Sequence, residues 1–421
     1  MSKLDELLRE LCPDGVEYKK LGDIATISRG GNFQKKDFLT EGVPCIHYGQ
    51  IYTKYGLFAD KTFTFISEEC AKKQKMAQPN DIVMAVTSEN IEDVCKCLAW
   101  LGDEPVAVSG HSAIIHHNQN AKYLVYYFHS QMFFAQKRKL AHGTKVIEVT
   151  PDALVDIALP VPPIEIQREI VRILDNFTNL TAELTAELTA RGIQYSYYRN
   201  KLLTFHSDTK IVQLADIADI GTGSSNTNEA VEDGKYPFFV RSQEPLRKND
   251  FEYDETAIIT AGDGVGVGKV YHYIEGRYAL HQRAYRIHIN TPEVVPKYYF
   301  HYMKAKFLPY IQKTMFQGSV ASIRRPMLNA FPVPVPSLDV QNRIVKVLDN
   351  FEKICSDLNI GLPAEIEARQ KQYEYYRDKL LTFAENGNTI LSRAEQSRAE
   401  QSRAEQSRAE QSRAEQSRAE H

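Results

Sequence analysis

The chain contains one unit twice. Leu174-Asp175-Asn176-Phe177 returns as Leu348-Asp349-Asn350-Phe351. Tyr197-Tyr198-Arg199 with Lys201-Leu202-Leu203-Thr204-Phe205 returns as Tyr375-Tyr376-Arg377 with Lys379-Leu380-Leu381-Thr382-Phe383. The lead-in Val161-Pro162-Pro163 and Gln167 become Val335-Pro336-Ser337 and Gln341. Other anchors pair Leu21-Gly22-Asp23-Ile24-Ala25 with Leu214-Ala215-Asp216-Ile217-Ala218, Val43-Pro44 with Tyr236-Pro237, Tyr126-Tyr127-Phe128-His129 with Tyr298-Tyr299-Phe300-His301, and Gly143-Thr144 with Gly318-Ser319. Between the anchors the copies diverge. Such a chain has to fold as two related units, and it can be pseudo-two-fold symmetric without dimerising.

Each divergent region mixes strand-like and helical runs. Residues 81–86, 113–115, 257–260 and 285–289 read as strands, and 123–140 and 296–312 as helices. The regions following Pro163 and Ser337 differ from these. Ile166, Ile170, Ile173, Phe177, Leu180, Leu184 and Leu188 fall three or four apart, a single helix stripe. Carried to Phe205, that helix would be about 63 Å long. Val340, Ile344, Val347, Phe351, Ile354 and Leu358 repeat the rhythm, and Gly361 with Pro363 predicts a kink or break. Two stripes of this length suit an antiparallel coiled coil; two separate core helices are the simpler alternative. The expected architecture is α/β: two mixed α/β domains in pseudo-two-fold arrangement, joined by two long antiparallel coiled-coil helices. The domain limits read as 1–160, 161–207, 208–334, 335–384 and a tail, 385–421.

The first helix also carries Leu180-Thr181-Ala182-Glu183, Leu184-Thr185-Ala186-Glu187 and Leu188-Thr189-Ala190-Arg191, a tandem repeat of four residues. Each unit adds about 6 Å of helix and slightly more than one turn, so the leucines stay near one face. Changing the number of units would alter the spacing of the domains without destroying the stripe.

At 421 residues with a net charge of −3, the chain lacks the basic balance of a typical nucleic-acid binder, so local patches would have to supply it. The first six residues, Met1-Ser2-Lys3-Leu4-Asp5-Glu6, do not read as a signal peptide, and no run is apolar enough for a membrane span. Cys95 and Cys97 form a C-x-C without a partner pair, which argues against zinc and for a reducing cytoplasm.

These residues resemble the specificity subunit of type I restriction-modification systems. The marks are the Cys-Pro-Asp-Gly-Val-Glu-Tyr opening at 12–18, the Pro-Pro junction followed by Gln167, the Thr-Ala-Glu-Leu repeats and the two Tyr-Tyr-Arg-x-Lys-Leu-Leu-Thr-Phe ends. The resemblance covers residues 1 to about 383 and implies two target-recognition domains and spacer helices that also dock methyltransferase subunits. It implies a subunit with no catalysis of its own. Such a subunit would address adenine methylation, and with a motor nuclease subunit also cleavage, to a bipartite sequence on double-stranded DNA. No cofactor is implied, and the partners are DNA, methyltransferase subunits and restriction subunits, with no membrane.

The chemistry of the sequence agrees. The Pro-Pro at Pro162-Pro163 lacks the polar and aromatic neighbours of an adenine methyltransferase corner. Gly264-Val265-Gly266-Val267-Gly268-Lys269-Val270 lacks the first glycine and the hydroxyl of a phosphate loop, and reads as a turn between strands. Asp14 with Glu17 and Lys19 only mimics a nuclease site, and His116-His117-Asn118 are strand neighbours. DNA contacts must then come from divergent polar loops. In the first domain these supply Arg29, Asn32, Gln34, Lys35, Lys36, Tyr48, Gln50, Lys54, Ser88, Asn90 and His111. In the second they supply Ser225, Asn226, Arg241, Gln243, Lys269, Gln282, Arg283, Arg324 and Arg325. Because the two sets differ, the expected target is asymmetric. A coiled-coil adaptor whose domains bind protein is the alternative, favoured by the near-neutral charge and opposed by the polar divergence of the loops.

From Ser392 the chain repeats Ser-Arg-Ala-Glu-Gln to His421. Its charges cancel and it cannot build a core. The codons AGC-AGA-GCA-GAG-CAG would spell the pentanucleotide AGCAG three times, so a slippage tract that varies the C-terminus is one reading and an ordinary 15-base repeat the other. Mixed synonymous codons in the gene would dismiss the first.

Overall fold

Alternate residues of the central strands feed opposite faces of a sheet, and this builds both units. In the computed structural model, which describes residues 2–314, 322–356 and 361–383, Ile82–Ala85 and Cys97–Trp100 are buried along their whole length. Ile82, Met84, Cys97 and Ala99 join the main core with Tyr123, Tyr126 and Tyr127. Val83, Ala85, Leu98 and Trp100 join a second cluster, against which Tyr48 and Tyr52 pack. The described residues divide into a unit of residues 2–182 with 367–383, and a unit within residues 183–366.

In the first unit a five-stranded sheet runs in the order Ala25–Arg29, Ser112–His117, Ile82–Ala85, Cys97–Trp100, Phe58–Ala59. A four-stranded sheet runs Thr64–Ile66, Val43–Ile46, Val106–Val108, Met76–Ala77. In the second unit one six-stranded sheet runs Ala218–Thr222, Ala284–Ile289, Tyr253–Ala261, Tyr271–Leu280, Tyr236–Phe239, Leu246–Lys248. The registers show how the two correspond. Met84 pairs with Cys97 as Thr260 pairs with Tyr271. Val43–Ile46 pairs in parallel with Val106–Val108 as Tyr236–Phe239 does with the end of Tyr271–Leu280. One long strand in the second unit therefore does the work of two in the first, where the chain leaves the sheet between Trp100 and Val106. Gly30 and Gly223 occupy the same crossing. A Cβ at Gly30 would lie 2.3 Å from the Ser109 carbonyl oxygen, and one at Gly223 would lie 1.8 Å from that of Leu280.

The first long helix, Ile164–Leu202, is continuous over 39 residues and stops before Thr204-Phe205, short of the expected end. Leu180, Leu184 and Leu188 are half-buried along it. The second breaks into Leu338–Ser356 and Leu362–Thr382, with Pro363 in the first turn of the latter. Proline is tolerated there because its missing N–H has no helical partner to lose. The expected helix at 123–140 is two, Ala121–Phe128 and Gln131–Leu140. Ser130 caps the second by accepting from the Phe133 N–H.

Each unit borrows a helix end from the other copy. In the first, Phe177 stacks on Tyr376 at 5.4 Å, and Tyr373, Leu380 and Leu381 join the core. In the second, Phe351 meets Tyr195 and Tyr198 at 6.1 and 5.8 Å. Arg191 lies near Cys355 and Tyr195 donates to Glu352, so the later half of the first long helix runs antiparallel to Leu338–Ser356. A buried glutamine bolts each helix start to its sheet domain. The Asn120 N–H donates to Gln167 Oε1 at 3.0 Å and the Val295 N–H to Gln341 Oε1 at 2.8 Å. The Gln167 amide donates to the Pro162 carbonyl at 2.8 Å and the Gln341 amide to that of Pro336 at 2.9 Å.

One sequence match is corrected. Tyr123 and Tyr298 donate to the Pro160 and Pro334 carbonyls, and Tyr127 and Tyr302 to those of Ala158 and Pro332. Tyr298 thus corresponds to Tyr123 rather than Tyr126, and His301 to Tyr126. Three residues are nearly one helical turn, so the aromatic letters also align in the wrong register. Gly318-Ser319 and the Ser-Arg-Ala-Glu-Gln tail lie outside the described residues. Among the described residues no helix is long and apolar enough to cross a membrane.

Candidate nucleic-acid interface

At one edge of each sheet domain three loops meet on matching backbone bonds. The Ser109 N–H donates to the Ile46 carbonyl and the Val86 N–H to that of His111. In the second domain the His281 N–H donates to the Phe239 carbonyl and the Gly262 N–H to that of Arg283. His111 therefore corresponds to Arg283, Thr87 to Asp263, and Tyr48 to Arg241. Their side chains converge in both domains with different chemistry. In the first, His111 Nδ1 and Thr87 Oγ1 share a hydrogen bond of 3.2 Å, and the Tyr48 and His111 rings lie 4.9 Å apart. In the second, Arg241 Nη1 and Arg283 Nη1 donate to the two oxygens of Asp263, at 2.7 and 3.2 Å. Burial opposes ionisation of Asp263, but the two guanidiniums outweigh it and hold the carboxyl below its ordinary range.

The neighbouring positions follow the same frame. Gln282 donates to Asn226 Oδ1, while Asn32 Oδ1 lies against Gly110. His281 accepts from the Arg283 backbone N–H through Nδ1, at 3.0 Å, and His47 accepts from that of Gly49, at 3.2 Å. Both imidazoles are held below the usual histidine range, by burial first. Arg241 and Arg283 add to this at His281, and Lys35 and His111 at His47. Arg324 stands just before the helix Arg325–Asn329, with no side-chain bond to it, beside Ile323, whose N–H donates to the Gly262 carbonyl. Lys269 is exposed on the loop whose Gly266 touches the Arg241 backbone. That loop is the turn expected between strands.

Other expected contacts are placed differently. Gln50 is buried and its amide bonds Thr64 and the His47 N–H, so it braces the loop from beneath. Ser225 is buried between Lys248 and Glu252. Both were drawn from polar strings that are amphipathic in the fold. Arg29 is committed to Glu148 at 2.7 Å and to the Gly110 carbonyl at 2.8 Å. Asn90 caps its own turn through Asp93. Gln34, Lys35 and Lys36 are exposed around a 3-10 turn, and Lys54 lies over the Phe63 ring. Ser88 pairs with Ile147 in a short two-stranded ladder, and Gln243 and Arg325 are exposed. Sequence reading missed Asp263, whose only signal was its place just after a strand.

Cys95 and Cys97 are buried, and burial raises Cys95 to about 12 and Cys97 well above the ordinary thiol value, so both stay neutral thiols. Among the described residues His301, Asp349 and Glu352 could converge on a cation. Lys304 already lies 2.7 Å from Glu352 and His301 bonds Asp349 at 2.7 Å, so the group is an ion-paired helix contact.

Two sheet domains that present different polar groups on one frame, each tied to a long helix, make a paired recognition scaffold. Residues 13–191 and 206–368 match the family described as the type I restriction modification DNA specificity domain, and the chain belongs to that family. It is 37% identical over 251 residues to a type I restriction enzyme specificity subunit of Escherichia coli, across 53% of this chain and 61% of that one. The match thus spans less than two thirds of the relative. The fold is similar to a type I restriction-modification S subunit from M. genitalium, with a TM-score of 0.57 at 13% identity, covering 88% of this chain and 97% of that one. A structure concerned with assembly of the type I system matches at a TM-score of 0.56 and 14% identity, covering 88% and 98%.

Proposed function

We propose that the chain is the DNA-specificity subunit of a type I restriction-modification complex. The domain at 1–160 and the domain at 208–334 each read one half of an asymmetric, bipartite duplex target. The helices at 161–207 and 335–384 set their separation and dock methyltransferase subunits. The complex methylates adenine at the target and, with a motor nuclease subunit, cleaves DNA. The chain itself is a cytoplasmic, non-catalytic component without a cofactor.

The observation that carries this reading is the pair of matched loop edges. The polar divergence of these edges favours base reading over a coiled-coil adaptor whose domains bind protein. Here equivalent positions hold Tyr48, Thr87 and His111 in one domain and Arg241, Asp263 and Arg283 in the other. Arginine, aspartate and threonine side chains read base edges. The test is selection from a random duplex library by the chain assembled with its methyltransferase subunits. An asymmetric two-part sequence is expected, as is no methylation by the chain alone. Methylation by the isolated chain, or assembly without sequence selection, would overturn the reading; the latter would favour the adaptor.

A further inference from the structure

We propose that the Arg241–Asp263–Arg283 cluster is a guanine reader, so that the half-site recognised by the second domain contains guanine. This rests on the DNA-recognition reading above.

Three features separate this cluster from an ordinary surface ion pair. The first is geometry. Each arginine gives one terminal nitrogen to a different oxygen of one carboxylate. The guanidinium is a planar five-donor fork, so an adjacent pair of donors on each arginine remains to face O6 and N7 of guanine. The second is exposure. The side chains of Arg241 and Arg283 are 43% and 61% exposed, whereas Asp263 is 22% exposed beneath them. An exposed pair contributes little stability, but a carboxylate that fixes two long side chains lowers the entropy lost when they meet a ligand.

The third is charge. Two guanidiniums and one carboxylate leave a single net positive charge, and the carboxylate would repel a phosphate. Lys269, Arg324 and Arg325 on the same edge have no carboxylate partner among the described contacts and suit the DNA backbone better. The carboxylate therefore assigns Arg241 and Arg283 to base edges. Behind them, His281 accepts the Arg283 N–H and is held neutral by burial, which leaves the fork a fixed backbone seat. At the equivalent positions of the first domain, Tyr48 and His111 offer no such fork.

The test uses the complex with methyltransferase subunits and the sequence it selects. The half-site belonging to residues 208–334 is identified as the half that travels when those residues are grafted into a related subunit. Guanine is expected there. Arg283→Ala, Arg283→Lys and Arg241→Ala should each reduce the preference for guanine at one position by about 5- to 150-fold, with the other half-site unchanged. Lysine keeps the charge and loses the fork, so its loss of preference separates base reading from simple attraction. Asp263→Asn, a positioning change, should relax the same positions less. Lys269→Ala should weaken all sequences alike and reduce the salt dependence by about one phosphate contact. Specific binding with no guanine in that half-site, or an undiminished preference in folded Arg241 and Arg283 variants, would overturn the guanine assignment while leaving the DNA reading intact. A wild-type complex that selects no bipartite sequence would remove both.

Discussion

On one loop edge His111 leans on Thr87 beside Tyr48; on the matching edge Arg283 and Arg241 grip Asp263. The strands that hold these groups pair in the same registers, and the Ser109–Ile46 and Val86–His111 backbone bonds have counterparts in His281–Phe239 and Gly262–Arg283. The frame is thus separable from what it displays. Its bonds are made by backbone N–H and carbonyl groups, which every residue but proline carries, so side chains at the edge can change without disturbing it. The opposite holds where the sheet meets the helix. There Gln167 and Gln341 are both fully buried and make equivalent bonds.

The most damaging way to test this contrast is to remove the glutamines. Gln341→Ala would strand the Val295 N–H and the Glu293 and Pro336 carbonyls. A fully buried orphan costs about 1–3 kcal/mol; these three bonds are only part-buried, so a combined loss of about 1–3 kcal/mol is expected in denaturant unfolding. Gln167→Ala should cost a similar amount, and a silent result for either would mean that the junction is held by packing alone.

Deleting Leu184-Thr185-Ala186-Glu187 should leave both half-sites as they are and shorten the unread bases between them. One unit removes about 6 Å of helix, on the scale of one or two base pairs at ~3.4 Å each. The leucine stripe is displaced by only about 40° and should survive. Genome-wide mapping of methylated sites reads the outcome, and an unchanged gap in an active deletion variant would separate helix length from target spacing.

Exchange at the edge should act on one half of the target only. His111→Ala or Tyr48→Ala should relax the first half-site, by about 1–3 kcal/mol at one base pair, and leave the second untouched. Changes in both halves at once would dissolve the comparison.

The smallest expected effect concerns His301, which stands where the first unit has Tyr126. Both bond the aspartate of Leu-Asp-Asn-Phe, at 2.7 Å. Burial depresses the His301 imidazole against the pull of Glu352 and Asp349. A depressed histidine takes its proton more readily when unfolded. Its contribution is full above the ordinary value of 6.5 and is lost as pH falls below it toward the folded value. His301→Tyr should keep the bond and flatten that acid-side loss, seen as a smaller drop in melting temperature between neutral and mildly acidic buffer. An identical drop would mean that His117 and His129, both held near 4 by burial, dominate it.

Much of this was written in the duplicated words. The helix starts, the break before Leu362 and the paired anchors at Leu21 and Leu214 follow from local patterning. The correspondence of Tyr123 with Tyr298 did not, because a helix offers nearly equivalent registers one turn apart. Gln50 and Ser225 look like loop residues in the sequence; only the fold reveals that Gln50 lies in the short helix Tyr48–Thr53 and that both side chains turn inward. Asp263 gave no motif, since its meaning depends on two arginines brought to it from positions 241 and 283. The single strand Tyr271–Leu280 in place of two depends on how tightly the chain crosses between sheets, which composition does not record.

The borrowed helix ends have a consequence for synthesis on the ribosome. One unit lies within residues 183–366, whereas the unit that starts at the N-terminus also requires 367 onward. Tyr373, Leu380 and Leu381 lie in its core, the Gln131 N–H donates to Asp378, and Tyr18 donates to the Thr382 carbonyl. The half translated first is therefore the half completed last. A nascent or prematurely stopped chain exposes the apolar surface that these residues would cover, so only a polypeptide read through to residue 383 can finish its N-terminal half.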